Sequence, residues 1–195
     1  MRSNKSCVLI CIATLAALLT LSSCSVDVKK EANGEDKQVD IKTPAGGIHV
    51  SEQADASDVG LALYPGAQLK PKEHDDDSKS ANVNISGFGF GIKVVALEYQ
   101  SDAAPAKIVS FYKDQLKKYG KVLECRTNDF DVDTDIHDSD SDKSDQLVCQ
   151  QSSGSKIELK VGKKDDQHIV EVEPEGKGSN FSLVYVRTHG RHADI

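Results

Sequence analysis

Residues 157–186 read IELKVGKKDDQHIVEVEPEGKGSNFSLVYV, and this stretch decides the fold class. Three runs rich in β-branched and aromatic residues (157–161, 168–172 and 181–186) read as strands. The polar turns Gly162-Lys163-Lys164-Asp165-Asp166 and Pro174-Glu175-Gly176-Lys177-Gly178 separate them. Upstream, Val122-Leu123-Glu124-Cys125 and Gln146-Leu147-Val148-Cys149 read as two further strands. Before these comes the principal helix, about 103–119. Ile108, Val109, Tyr112, Leu116 and Tyr119 fall on one stripe, Pro105 suits the first turn, Asp102 is the candidate N-cap and Gly120 the C-terminal stop. Lys117 and Lys118 lie where cations complement the helix dipole. Residues 81–86 and 92–99 are strands on either side of Gly87-Phe88-Gly89-Phe90-Gly91, and the second is apolar enough to be central. Strands, one helix, then more strands predict an α+β fold: a mainly antiparallel sheet with one principal helix packed on one face. Helices and strands do not alternate, which excludes a doubly wound nucleotide fold.

Moving toward the N-terminus, Tyr64-Pro65-Gly66 is a turn that opens the main domain, taken as residues 58–195. Residues 38–57 are a β-hairpin and linker, because Val39-Asp40-Ile41-Lys42 and Ile48-His49-Val50-Ser51 alternate around Thr43-Pro44-Ala45-Gly46-Gly47. Residues 25–37 (SVDVKKEANGEDK) are polar with no sustained period and read as a flexible tether that begins at position 24. In front of it, Arg2 and Lys5 precede a 15-residue apolar stretch, 7–21, too short to cross a ~30 Å hydrocarbon core. Residues 1–23 are therefore a signal peptide.

Leu21-Ser22-Ser23-Cys24 resembles the lipobox of bacterial lipoproteins. The resemblance implies acylation of the Cys24 thiol, cleavage before it, and a membrane anchor of several acyl chains. Ser25, unlike an Asp, does not resemble an inner-membrane retention signal, so the expected address is the periplasmic face of the outer membrane. Leu63-Tyr64-Pro65-Gly66-Ala67, together with Phe111-Tyr112-Lys113 inside the helix, resembles a set of uncharacterised exported bacterial lipoproteins. That resemblance implies a tethered life and carries no catalytic residues.

Of the five cysteines, Cys7 and Cys11 leave with the signal and Cys24 carries lipid. Cys125 and Cys149 remain, and in an oxidising compartment they are expected as one disulfide. Loss of Arg2 and Lys5 moves the formal net charge from -7 to -9. Such an acidic chain disfavours nucleic acid as a partner.

Between the paired cysteines, residues 127–145 (TNDFDVDTDIHDSDSDKSD) contain eight Asp. Asp131, Asp133 and Asp135 resemble the start of a calcium loop, but Ile136 occupies the turn-glycine position and Asp142 the twelfth, so only weak Ca2+ binding is expected. No cofactor is otherwise expected. The glycine-rich 87–91 stretch enters a strand and not a helix, which argues against a phosphate cradle and for a kinked turn with an aromatic tip. His189 and His192 make a poor metal pair on a chain end. No G-x-S-x-G or H-E-x-x-H is present. The expected function is a non-catalytic, lipid-anchored envelope module that binds another envelope protein or a small ligand across its sheet; the alternative is a calcium-responsive module.

Overall fold

The computed structural model describes residues 24–30, 37–71, 80–128, 145–150 and 153–189. Ten strands among them form one antiparallel sheet: β1 (Ser25–Lys30), β2 (Lys37–Thr43), β3 (Gly46–Ser51), β4 (Gln68–Leu69), β5 (Ser80–Gly87), β6 (Phe90–Ser101), β7 (Leu123–Thr127), β8 (Lys156–Lys163), β9 (Asp166–Glu175) and β10 (Gly178–His189). Their order is β1-β2-β3-β5-β6-β10-β9-β8-β7, with β4 beside β6. The one α-helix among the described residues, α1 (Pro105–Leu116), continues as a 3-10 turn over Lys117–Tyr119. Among the described residues, the antiparallel sheet with a single helix on one face is the architecture expected from the strands of 157–186 taken with the helix near 103–119.

The core lies between α1 and the middle of the sheet. Ile108, Val109, Tyr112 and Leu116 are buried against Val95, Leu97 and Tyr99 of β6, Phe181 and Leu183 of β10, Val170 and Val172 of β9, and Leu159 and Val161 of β8. Each such side chain contributes about 1.5–3 kcal/mol. The segment before α1 is strapped along it: Gln115 accepts from the Ala62 N–H at 2.7 Å and donates to the Ala62 carbonyl at 3.3 Å, and the Tyr64 N–H donates to the Tyr112 hydroxyl at 3.1 Å. Burial raises the Tyr112 phenol well above its ordinary pKa and keeps it neutral.

The helix starts later than expected, and Asp102 does not cap it. The N-cap is Ala104, which is extended (φ -61°, ψ 146°) because the ring of Pro105 disfavours a helical residue before it. Ser101 Oγ instead accepts from the Ala103 N–H at 3.2 Å, and Ser179 Oγ donates to the Ala103 carbonyl at 2.7 Å. Gln146-Leu147-Val148-Cys149, expected as a strand, is irregular: Val148 is exposed, so its alternation matches no buried face.

The tether reading is corrected over its first part. Ser25–Lys30 is β1 and pairs with β2 along its whole length, from Ser25 opposite Lys42 to Lys30 opposite Lys37. Val26 and Val28 supply a period of two short enough to be overlooked, and they gain neighbours only when set beside Ile41 and Val39. The expected hairpin forms as β2 and β3, and it joins the main sheet through β5.

The face of the sheet opposite α1 carries two transverse ladders. In one, Val28, Val39, Val50, Val83, Val94 and Val186 stand in register across β1, β2, β3, β5, β6 and β10. In the next, Val26, Ile41, Ile48, Ile85, Ile92 and Thr188 do the same. Cross-strand β-branched pairs of this kind stabilise a sheet by roughly 0.2–1 kcal/mol each.

Candidate functional site

The structure distributes the sequence-predicted residues over two ends of the sheet. Cys24 is exposed and immediately precedes β1, so the predicted acylation point abuts the folded sheet. Ser25 lies in register with Lys42, Gly47, Ser86, Gly91 and His189, which sets Cys24 at the same end as the β2–β3 and β5–β6 turns. Cys125 and Cys149 are bonded, with Cα atoms 5.5 Å apart, which fastens the irregular 145–150 segment to β7. Asp131, Asp133 and Asp135 lie outside the described residues, as does His192.

The β5–β6 turn is a two-residue hairpin loop closed by Gly87 opposite Phe90. Phe88 (φ 51°) and Gly89 (φ 83°) are both left-handed, the signature of a type I′ turn, which favours Asn-Gly. Phe88 is 94% exposed.

A second constellation was not foreseen from sequence. On the face opposite α1, Glu158 of β8 stands opposite Glu171 of β9, which stands opposite Ser182 of β10, which stands opposite Glu98 of β6. Glu158, Lys160 and Glu171 are buried. Lys160 Nζ lies 3.0 Å from Glu158 Oε1, and Lys156 Nζ lies 3.2 Å from Glu171 Oε1 and 3.7 Å from Glu173 Oε2. Glu171 Oε2 is buried with no hydrogen-bond partner among the described residues. It belongs to the lining of a cavity of about 300 Å³, with Lys70, Glu98, Lys156, Glu173, Asn180 and Ser182. An orphan carboxylate oxygen in such a place accepts a hydrogen bond from whatever enters. The sequence signal was the continuous apolar runs 94–97 and 183–186, which mark β6 and β10 as strands covered on both faces, so that the face opposite α1 is not wholly open to water.

On the α1 side, His168 is sandwiched. Tyr119 stacks on it with ring centroids 3.8 Å apart, and Tyr185 lies on its other side at 4.7 Å. Burial lowers the His168 pKa from its ordinary 6.5; Asp166 pulls it up, Lys118 presses it down and a backbone hydrogen bond to Val59 raises it. Tyr119 Oη and Lys118 Nζ both donate to the Gly60 carbonyl at 2.7 Å, which pins the Tyr119 ring over the imidazole. The arrangement fixes the end of α1 to the 58–61 segment. Among the described residues no group of three or more His, Cys, Asp or Glu side chains is placed to hold a metal ion.

Comparison of the chain with protein-family models, with curated proteins and with solved structures finds no match.

Proposed function

We propose that this chain is a non-catalytic envelope protein, anchored by acyl chains on Cys24 and exported to the periplasmic face of the outer membrane. There it binds a small ligand or an envelope partner through the face of the sheet opposite α1. The observation that carries the reading is the order of parts: a positively charged start, a 15-residue apolar stretch, Leu21-Ser22-Ser23-Cys24, and a folded sheet from Ser25 onward. Supporting the binding role, the cavity around Glu171 is polar and holds both signs of charge, which suits a ligand that presents hydrogen-bond donors. Metabolic labelling with palmitate, followed by mass analysis of the N-terminal peptide, tests the anchor.

A second reading has its own support in the disulfide. Cys125–Cys149 closes the Asp-rich segment into a loop fixed to β7, so that weak Ca2+ binding at Asp131, Asp133 and Asp135 would act on the neighbouring strands. Comparing the melting midpoint in calcium and in magnesium separates the two readings.

A further inference from the structure

The described residues expose nine large apolar side chains, and five of them gather at one corner of the sheet: Val26 (63% exposed), Val28 (59%), Ile48 (38%), Phe88 (94%) and Phe90 (44%). Val26, Val28, Ile48 and Phe90 share the ladder face, since Val26 is in register with Ile41, Ile48, Ile85 and Ile92, and Phe90 precedes Ile92 by two positions. Phe88 projects from the turn at the end of that face. Patches of this sort mark an interaction surface more often than isolated apolar residues do.

Three observations select the occupant. Cys24 is the residue before β1, and β1 lies three strands from β5, so about 14 Å separates the predicted anchor from the aromatic turn. With no slack between Cys24 and Ser25, acyl chains at Cys24 hold this corner against the bilayer. Second, Phe88 occupies a left-handed position for which Asn is the favoured residue, and it contacts no core cluster. A bulky residue kept at a backbone cost and left exposed points to a role outside the fold. Third, the carboxylates Glu98, Glu158, Glu171 and Glu173 lie toward the other end of the strands, away from anionic headgroups, and Asp27 and Asp40 stand on the opposite face with Asp40 bound to His49 at 2.7 Å.

We infer that the corner formed by Val26, Val28, Ile48, Phe88 and Phe90 is a membrane-contact surface, in which the Phe88 turn inserts into the lipid interface beside the anchor. This rests on the reading of Cys24 as acylated. The anchor holds the chain at the bilayer; the corner sets its orientation, with the ladder end down and the Glu171 cavity at the end away from the membrane.

The chain contains no Trp, so a single Phe88→Trp substitution reports from the turn alone. The full-length protein, processed in cells, is reconstituted in vesicles of phosphatidylethanolamine and phosphatidylglycerol, with and without brominated lipid. The indole of the Phe88→Trp variant is expected to shift to shorter emission wavelength and to be quenched by bromines near the headgroups. Leu63→Trp, exposed on the α1 side, is expected to emit as in water and to stay unquenched. Mass analysis of the same sample separates the two readings. Acyl chains on Cys24, with the Phe88→Trp indole emitting as in water, would overturn the corner and leave the anchor standing. A quenched indole in the same variant, on a chain without acyl groups, would support the corner and sink the anchor. An emission shift that follows protein concentration and not lipid would assign the corner to a second copy, and overturn the inference.

Discussion

Glu158 and Glu171 face each other across β8 and β9, two buried carboxylates in direct register. Like charges so placed repel, and each is answered by a lysine of β8, Lys160 for Glu158 and Lys156 for Glu171. Removing one partner of a buried pair leaves an uncompensated charge. Lys160→Met should therefore destabilise the fold by about 3–5 kcal/mol in urea melts, whereas Lys160→Met combined with Glu158→Leu should recover most of the loss.

Protonation of His168 opposes folding. Its folded-state pKa lies below the ordinary 6.5, so the folded chain binds this proton less readily than the unfolded one. The stability that neutral His168 contributes is complete above pH 6.5 and declines as pH falls from there toward the lowered folded-state value. A His168→Phe variant should show a flatter melting midpoint between about pH 7 and about pH 5 than the parent chain, by scanning calorimetry in each buffer.

Phe88 should be dispensable for the fold. Phe88→Asn places a residue at ease in the left-handed region ahead of Gly89, and the melting midpoint should rise, by the equivalent of about 1 kcal/mol. A fall in the midpoint would show that the aromatic ring supports the sheet.

How much of this was legible in the sequence depends on what each residue's partner was. The strands of 157–186 and the helix stripe from Ile108 to Leu116 were readable because their periods repeat over several turns or alternations. The Cys125–Cys149 pair was readable by elimination of the other cysteines. β1 was missed because only Val26 and Val28 alternate, and their significance appears only opposite Val39 and Ile41, across the polar stretch 31–36. Asp102 was misread because the restriction Pro105 places on Ala104 outweighs the capping preference of Asp. The Glu158, Glu171 and Glu98 row was hidden because its members come from three strands whose adjacency is a matter of topology.

Calcium and magnesium should differ little in their effect. The twelve-residue window from Asp131 has Ile136 where the turn needs glycine, so divalent ions should act on the Asp-rich segment by screening, with small midpoint shifts that follow ionic strength. A calcium-selective shift that saturates, and that is lost when Asp131, Asp133 and Asp135 become Asn, would favour the calcium-responsive reading.

The proposed acylation of Cys24 is what ties the folded sheet to a membrane. Palmitate labelling of cells producing the parent chain and Cys24→Ala, read together with the mass of the N-terminal peptide, tests it directly. The account predicts label in the parent chain, a mature N-terminus at position 24 bearing acyl groups, and an unlabelled, uncleaved precursor in the variant. Equal label in Cys24→Ala, or a mature parent chain that begins at Cys24 with an unmodified thiol, would contradict it.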